Sequence, residues 1–554
     1  MAKNKQPLHP NAPLLLNDHP RPVTRREMIA QSFKMGSAAI VTGSSFGFFA
    51  NSASAQQTVT LSSDIQTAKA ACKGVASQGN GKIPFICFDL AGGANFAGSN
   101  VLVGQRGGQL DFLTAAGYSK QGLPADMTPN LDTVAAPLID RSLGLHFHAG
   151  SAMLKGIHAR LAIANRAMVN GAVIPARSEN DTANNPHNPM YYIAKAGAGG
   201  SLLNLIGSRA SDSGGNSMAS MSLVDMDFQT EYRPTKVDNP NDVTGLVDVG
   251  DLVNLMDQEE IVRVMESTYR ISSNKLDQVS PGTGNPVANA KIISDLKCQY
   301  LKGADLAARF GNPSAIDPAR DEDIVGATGI FSSADFMSNG EYRKTASVMK
   351  LVLNGYAAAG TITMGGYDYH TGDRSTGEAR DENVGNCIGA VLEYAARLGT
   401  PVMIYVFSDG SVFSNGMTDD SVAGGGKGVW TGDDQQTASP FFLVYNPGYR
   451  PVLLGGTNND PAVINAEQMR HQQLGYMRAS GDVETASSPA GNNVNLLTEL
   501  VTLNYMALHG EQALFGAEEY FKGHGLGSSV MLDRLSAFQP ICTGDIDHPT
   551  PPPA

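Results

Sequence analysis

The fold is decided by one stretch, IPFICFDL at residues 83–90, which is followed by AGGAN at residues 91–95. A continuous apolar run of this length that ends in glycines is typical of a buried parallel strand whose carboxyl end opens into a loop. The stretch therefore predicts an α/β protein, in which ligands bind in the loops beyond the carboxyl ends of the strands.

Strand and helix patterns alternate along the rest of the chain. Further strands are predicted at residues 160–169 (RLAIANRAMV), 361–364, 401–407 (PVMIYVF) and 440–445 (PFFLVY). Apolar residues at three- and four-residue spacing predict a helix from Val384 to Leu398 that ends at Gly399, and other helices are predicted at 252–269, 342–359 and 493–508. The alternation predicts a mostly parallel sheet that is covered by helices on both faces.

Composition sets the class of protein. The chain has 554 residues, of which 42% are hydrophobic and 17% charged, so a folded globular protein is expected rather than a disordered one. The formal net charge is −13, which argues against a nucleic-acid partner, because phosphate recognition needs a basic surface.

The N-terminal segment is interpreted as an export signal. Arg25 and Arg26 precede the charge-poor stretch Met35 to Ala50, and the small residues Ala53-Ser54-Ala55 follow. This pattern is typical of a twin-arginine signal with a cleavage site. It predicts that the twin-arginine translocase is a partner during export, and that the product is periplasmic or extracellular.

The remaining divisions follow from composition. We predict a signal peptide at 1–55, a polar lead-in at 56–82 and one large α/β domain at 83–545, with a helical insertion at about 240–345 and a disordered tail at 546–554. The five cysteines contain no C-x-x-C pair, so no zinc knuckle is expected. The chain also lacks a haem-binding C-x-x-C-H and a G-x-G-x-x-G after a strand, and no nicotinamide, flavin or covalent haem is predicted.

Acidic and histidine side chains follow two of the predicted strands. GGYDYH at 365–370 places Asp368 and His370 two residues apart, so both point to the same side of an extended segment. Asp409 follows the 401–407 strand, which we expect to neighbour the 361–364 strand, so that Asp409 would be close enough to be a third ligand. Carboxylate and imidazole are common ligands of divalent metals. Capping of the next turn is the alternative role for each aspartate.

A polar loop after the 160–169 strand contains Arg177 and Ser178. A serine near a helix start could act as a nucleophile or bind an anion, although such serines more often cap the helix. His146 and His148 would share one face of an extended segment, and we interpret them first as structural residues.

Five segments together resemble one protein family. FDLAGGAN, LGLHFHAGSAML, RLAIANRAMVNGAVIPARSEND, GGYDYHTG and LEYAARLGTPVMIYVFSDGSV occur in this order between residues 83 and 454. They resemble a family of twin-arginine-exported bacterial proteins of unknown function, distantly related to the alkaline phosphatase and sulfatase superfamily, with some members labelled general secretion pathway proteins. The resemblance implies an alkaline phosphatase-like sheet, metal ligands at Asp368 and His370, a nucleophile at Ser178 and Arg177 beside it.

Three positions depart from that family pattern. The first loop has Asn95 where the family usually has aspartate, and Asp409 stands where the family has glutamate. The segment TGDDQ at 431–435 lacks the family's histidine, so only Asp433 and Asp434 could serve there. A site for two ions, whether zinc, manganese or calcium, needs about six such ligands.

Two functions therefore stay open. The first is an exported metal-dependent hydrolase, phosphatase-like or sulfatase-like, with a small anionic ester as substrate. The second is a non-catalytic envelope protein of the same fold, with a protein partner and a role in binding, assembly or secretion.

Overall fold

A computed structural model describes most of the chain after the predicted signal peptide. The described residues are 59–71, 81–130, 138–177, 187–208, 223–247, 257–282, 285–309, 316–433 and 436–552. The predicted signal at 1–55, Ser178 and Asp434 lie outside them. Among the described residues, no helix combines the length and the apolar character that crossing a membrane requires.

Thirteen strands and fifteen α-helices lie in the described part of the chain. The strands are β1 Phe85–Ala91, β2 Ile139–Asp140, β3 Phe147–His148, β4 Val169–Val173, β5 Leu203–Gly207, β6 Thr235–Lys236, β7 Ala357–Gly365, β8 Val402–Phe407, β9 Val412–Asp419, β10 Lys427–Asp433, β11 Phe441–Tyr445, β12 Cys542–Thr543 and β13 Asp545–Pro549. The helices are α1 Ser63–Ala71, α2 Ala115–Lys120, α3 Ala152–Arg160, α4 Ile163–Arg166, α5 Met190–Lys195, α6 Met226–Glu231, α7 Pro240–Gly245, α8 Gln258–Leu276, α9 Pro286–Arg309, α10 Ser333–Ser338, α11 Gly340–Leu353, α12 Ser375–Leu398, α13 Ala466–Gln472, α14 Val494–Leu508 and α15 Ser529–Leu535.

Seven strands form the central sheet, in the order β4-β11-β8-β1-β7-β5-β6. The β1 strand pairs in parallel with both β7 and β8, and β5 continues the parallel pairing to β7 and β6. The β11 strand runs antiparallel to β8 and β4, so β4 has the same direction as β8. The predicted mostly parallel α/β sheet is confirmed at this level.

Alternate residues of β1 pack on opposite faces of the sheet, as the two-residue period of a strand requires. Ile86 and Phe88 join the core under α3, α11 and α12, whereas Phe85 and Cys87 join the core under α5, α14 and α15. Because both faces are covered, every side chain of β1 from residue 85 to residue 90 is buried, and the strand is a continuous apolar run with one aspartate.

Glycines allow α3 and α12 to cross closely on one face. A Cβ at Gly385 would lie 2.0 Å from the carbonyl oxygen of Met153, and a Cβ at Gly156 would lie 2.2 Å from that of Glu382. No side chain fits at these distances. The α12 helix then ends at Gly399, whose φ of 64° is left-handed, as predicted.

The strand predicted at residues 160–169 is wrong. The α3 helix continues to Arg160, α4 follows, and the strand of this region is β4, which starts at Val169. The apolar residues of 160–169 do not alternate between core and solvent, since Ile163 is 79% exposed. The helix predicted at 342–359 ends at Leu353, because the chain from Ala357 onward joins the sheet as β7.

The helical insertion predicted at 240–345 contains α7 to α10 and the start of α11. Within it α8 and α9 share a small core with α1, built around Ile65, Ile261 and Leu301. Cys298 of α9 is disulfide-bonded, whereas Cys87 and Cys387 are free and buried. The predicted disordered tail is wrong for residues 546–549, which belong to β13 and pair with β12.

Candidate functional site

The side chains of Asp368 and His370 form a pair just beyond β7. The Nε2 atom of His370 lies 2.5 Å from Oδ1 of Asp368. The side chain of His370 is 38% exposed and that of Asp368 is 56% exposed. The intervening Tyr369 and the preceding Tyr367 are buried. The alternation holds the acid and the imidazole on the solvent side, so the prediction that they point the same way is confirmed.

Gly92, just beyond β1, lies between Asp368 and Asp409. A Cβ at Gly92 would be 2.5 Å from the backbone nitrogen of Asp368, and the φ of Gly92 is 126°, so only glycine fits without strain. The N–H of Gly92 donates to Oδ1 of Asp409 at 2.7 Å. Ser408 reinforces this loop contact, because its Oγ accepts from the N–H of Ala94 at 2.9 Å.

The expectation that Asp409 follows a strand adjacent to β7 is wrong. The β1 strand separates β8 from β7, so the carboxyl ends that carry Asp409 and Asp368 are two strand spacings apart, or ~10 Å. The side chain of Asp409 instead fixes the β1 loop through Gly92. The structure therefore supports a structural role for Asp409, as the first residue of an Asp–Gly turn whose side chain holds the β1 loop.

Asn95 lies in the core rather than at the exposed edge. Its side chain has no exposed surface, and Nδ2 donates to the carbonyl of Val412 at 3.0 Å. Its backbone N–H donates to the hydroxyl oxygen of Tyr369 at 2.9 Å. Its Oδ1 has no hydrogen-bond partner within the described residues, but full burial separates it from the exposed Asp368–His370 pair.

The other predicted site residues lie elsewhere or outside the described residues. Arg177 follows β4, the edge strand four positions from β7, and its N–H donates to the carbonyl of Gly491 at 3.0 Å. Asp433 ends β10, where its backbone pairs with Val412, and its side chain lies outside the described residues, as do Asp434 and Ser178.

The described residues do not fit a two-metal centre. In the part of the chain that the structure describes, no three His, Cys, Asp or Glu side chains lie close enough together to hold a metal ion. Asp368 and His370 supply two ligands, whereas a resident divalent ion usually has three or more from the protein.

Arg380, a cation that the sequence did not single out, lies beside this edge. Its Nη1 donates to the carbonyl of Gly365 at 3.1 Å, and a Cβ at Gly366 would be 2.2 Å from the same nitrogen. Among the described residues no carboxylate pairs with Arg380. Its guanidinium therefore lies at the end of β7, where the chain leads into the Asp368–His370 pair, with donors left for an anion.

Behind the exposed pair lies a buried carboxyl group, Asp381 of α12. Its Oδ2 accepts from Nδ2 of Asn100 at 2.8 Å, and its Oδ1 accepts from the hydroxyl of Tyr369 at 3.2 Å. Burial raises the pKa of Asp381 to about 7. Asp381 lies three residues before Val384 and so continues the buried face of the helix. This spacing is the sequence signal for the burial of Asp381.

A second polar cluster lies under the sheet edge on the α14 face. Oδ2 of Asp89 accepts from the hydroxyl of Thr363 at 3.1 Å, and Nδ2 of Asn188 donates to Thr361 at 2.9 Å. Burial raises the pKa of the Cys87 thiol well above its ordinary value, so it is a poor nucleophile. Asp89 was overlooked in the sequence because the residues around it are all apolar.

His146 and His148 have the structural role that was expected first. Both are buried, and burial lowers the pKa of His146 to about 3 and that of His148 to about 4. Nε2 of His148 is 3.0 Å from the carbonyl of Met127. Neither imidazole reaches the exposed edge of the sheet.

Comparisons with known proteins identify no relative of this chain. No protein-family model, no curated protein and no solved structure matches the chain.

Proposed function

We propose that this chain is an exported hydrolase of alkaline phosphatase-like fold that acts on phosphate or sulfate esters, with the Asp368–His370 pair as its reactive group. One observation carries the proposal: a carboxylate and an imidazole 2.5 Å apart, both exposed, at the carboxyl edge of the sheet. Ligands of open α/β sheets bind at this edge. The seven-stranded, mostly parallel sheet is compatible with the proposed fold.

The chemistry of the pair is acid–base catalysis. A carboxylate that bonds an imidazole orients the ring and stabilises the imidazolium that forms when the ring takes a proton. His370 would take the proton of the attacking hydroxyl, from water or from Ser178, and would return it to the leaving oxygen. Arg380 would hold the anionic oxygens of the ester, since a guanidinium matches phosphate and sulfate geometry.

The test is hydrolysis of 4-nitrophenyl phosphate and 4-nitrophenyl sulfate by the exported protein. The His370→Gln variant should lose about 100-fold or more in kcat on whichever ester is cleaved, the usual contribution of a positioned base. His548→Gln is the matched control, because Nδ1 of His548 lies 2.6 Å from Oδ1 of Asp545 in an exposed pair far along the chain. Equal loss in both variants, or none in His370→Gln, would contradict the proposal.

Metal content is a separate measurement. Two equivalents of zinc, manganese or calcium per chain, lost in Asp368→Ala, would show that residues beyond those described complete a metal site. Retention of the metal by Asp368→Ala would show that Asp368 is not a ligand.

A second candidate is a non-catalytic envelope protein of the same fold that acts in binding, assembly or secretion. It is favoured by the lack of a three-ligand cluster in the described part of the chain. No turnover of either ester, with zinc, manganese or calcium supplied, would select this candidate over the hydrolase.

A further inference from the structure

A large cavity opens beside β4, at the opposite side of the sheet from the Asp368–His370 pair. Its volume is about 1060 Å³, and its walls come from α13, α15, the loop at Arg106 and the segment 486–489. It adjoins the sheet directly, because the N–H of Leu474 donates to the carbonyl of Val173, the last residue of β4, at 2.9 Å. The cavity is large enough for a small organic ligand.

The charge of the cavity is opposite to that of the chain. Arg106, Arg470 and Arg534 line it together with one carboxylate, Glu467, which makes a formal charge of +2 in a chain of −13. Glu467 pairs with Arg470 at 2.7 Å. Arg106 and Arg534 are exposed, and neither has a side-chain hydrogen bond or ion pair within the described residues. Two guanidinium groups are therefore available to an anion.

Buried hydroxyl groups without partners lie in the wall of the same cavity. The Oγ atoms of Ser487 and Ser488 are buried and form no hydrogen bond with the described residues. The whole of Ser488 is only 9% exposed. Ser488 occupies the cap position before the 3₁₀ turn Pro489–Asn492, yet its side chain does not cap the turn. A buried hydroxyl without a partner costs free energy, and a ligand oxygen would satisfy it.

Apolar side chains complete the wall. Leu474, Leu535 and Met531 line the cavity together with Pro489. An inorganic anion could use the arginines and the serines, but it would leave this apolar surface in water. A ligand with an anionic head and an apolar body would contact all three groups of side chains, namely the arginines, the serines and the apolar residues.

We propose that this cavity binds a soluble organic anion with an apolar body, such as an alkyl phosphate, sulfate or carboxylate. The arginines hold the head group, Ser488 donates to one of its oxygens, and the leucines and methionine cover the apolar part. The site is distinct from the Asp368–His370 pair that carries the proposed hydrolysis, since β4 and β7 are four strand positions apart.

The experiment is calorimetric titration of the exported protein with hexyl phosphate, with inorganic phosphate and 1-hexanol as comparison ligands. We expect saturable binding of hexyl phosphate, at least tenfold tighter than inorganic phosphate, and no binding of hexanol. Arg534→Gln and Arg106→Gln should each raise the Kd about tenfold, the lower end for a hydrogen bond to a charged group. Both residues are exposed and unpaired, so these variants should fold.

The controls separate this site from the hydrolase site. Arg263→Gln removes an exposed arginine of α8 that pairs with Glu259, and it should leave the Kd unchanged. His370→Gln should also bind hexyl phosphate as the wild type does, whatever its effect on ester hydrolysis. Ser488→Ala should raise the Kd about fivefold while the melting temperature of the free protein stays the same or rises, because an unsatisfied buried hydroxyl is removed.

Several outcomes would overturn the proposal. They are no binding of hexyl phosphate, equal affinity for inorganic phosphate, and an unchanged Kd in both arginine variants. If only His370→Gln raised the Kd, hexyl phosphate would bind at the Asp368–His370 pair, and this result would also refute binding in the cavity.

Discussion

Replacing Asp381 with asparagine should make the stability of this protein less dependent on pH. The carboxyl group has no exposed surface, and burial raises its pKa from 3.8 to about 7. The folded protein therefore keeps a proton on Asp381 at pH values where the unfolded chain has released it. The free energy of unfolding therefore falls as the pH rises from about 4 to about 7, because the chain must then either take up a proton at Asp381 or bury a charged carboxylate when it folds.

The size of the effect follows from the two pKa values. A difference of one pKa unit is worth ~1.4 kcal/mol, so the rise from 3.8 to about 7 corresponds to about 4 kcal/mol over the whole range. About 3 kcal/mol of this falls between pH 5 and pH 8. Asparagine resembles the neutral acid in shape and cannot ionise, so Asp381→Asn should gain about 3 kcal/mol over the wild type across that interval.

Other buried groups make a difference measurement necessary. Burial lowers the pKa of His148 and of His187 to about 4, below the ordinary value of 6.5. For these imidazoles the unfolded chain binds the extra proton, so their contribution to stability rises with pH up to about 6.5, opposite to that of Asp381. Subtraction of the wild-type profile from the Asp381→Asn profile cancels them.

Urea unfolding followed by tryptophan fluorescence suits this measurement. The chain has one tryptophan, Trp430, which is buried with its ring centroid 6.5 Å from that of Tyr369, the phenol that bonds Asp381. Asp420→Asn removes an exposed carboxylate and should show no widening difference between pH 5 and pH 8. A constant difference between Asp381→Asn and wild type over this interval would refute the assigned protonation.

Two further predictions concern export and packing. Changing Arg25 and Arg26 together to lysine should leave the full-length protein in the cytoplasm, whereas wild type should appear in the periplasm beginning at Gln56; normal export of the double variant, by fractionation and N-terminal sequencing, would contradict the signal. Gly385→Ala should lower stability by at least ~2 kcal/mol or prevent folding, since its Cβ would lie 2.0 Å from a carbonyl oxygen of α3. Gly340→Ala, whose Cβ would lie at the ordinary contact distance of 3.8 Å from Nη2 of Arg343, should unfold at the wild-type urea concentration, and equal midpoints for the two variants would show that α3 and α12 do not need the glycine.

Local patterns predicted the elements whose burial is uniform. The β8 and β11 strands are buried throughout and β1 is buried from residue 85 to residue 90, and α14 begins one residue from its predicted start. The β4 strand was missed because its sequence VNGAV is short and contains Gly171, which the close approach of Phe442 requires. Strand signals of that kind come from packing rather than from residue type.

The site was predictable only within one segment. Asp368 and His370 lie two apart on the same extended chain, so their common side follows from strand geometry alone. The position of Asp409 depended on which strand lies next to β7, and β1 takes that place although it is far away in sequence. The partners of Asp381 and Asp89 come from distant segments in the same way, and no spacing rule could name them.

The central position of β1 has a consequence for the order of events during synthesis. Its two neighbours are β7 and β8, and Ala91 at its end precedes Ala357 at the start of β7 by 266 positions. At roughly 5–20 residues per second, a ribosome needs about 15–50 s to make that interval, during which both edges of an apolar strand have no partner. An unpaired apolar edge invites association with other chains. The edges of β1 therefore stay open to other chains until β7 and β8 have been made, and a leader that delayed transport until synthesis is complete would suit this protein better than one that threads the chain as it emerges.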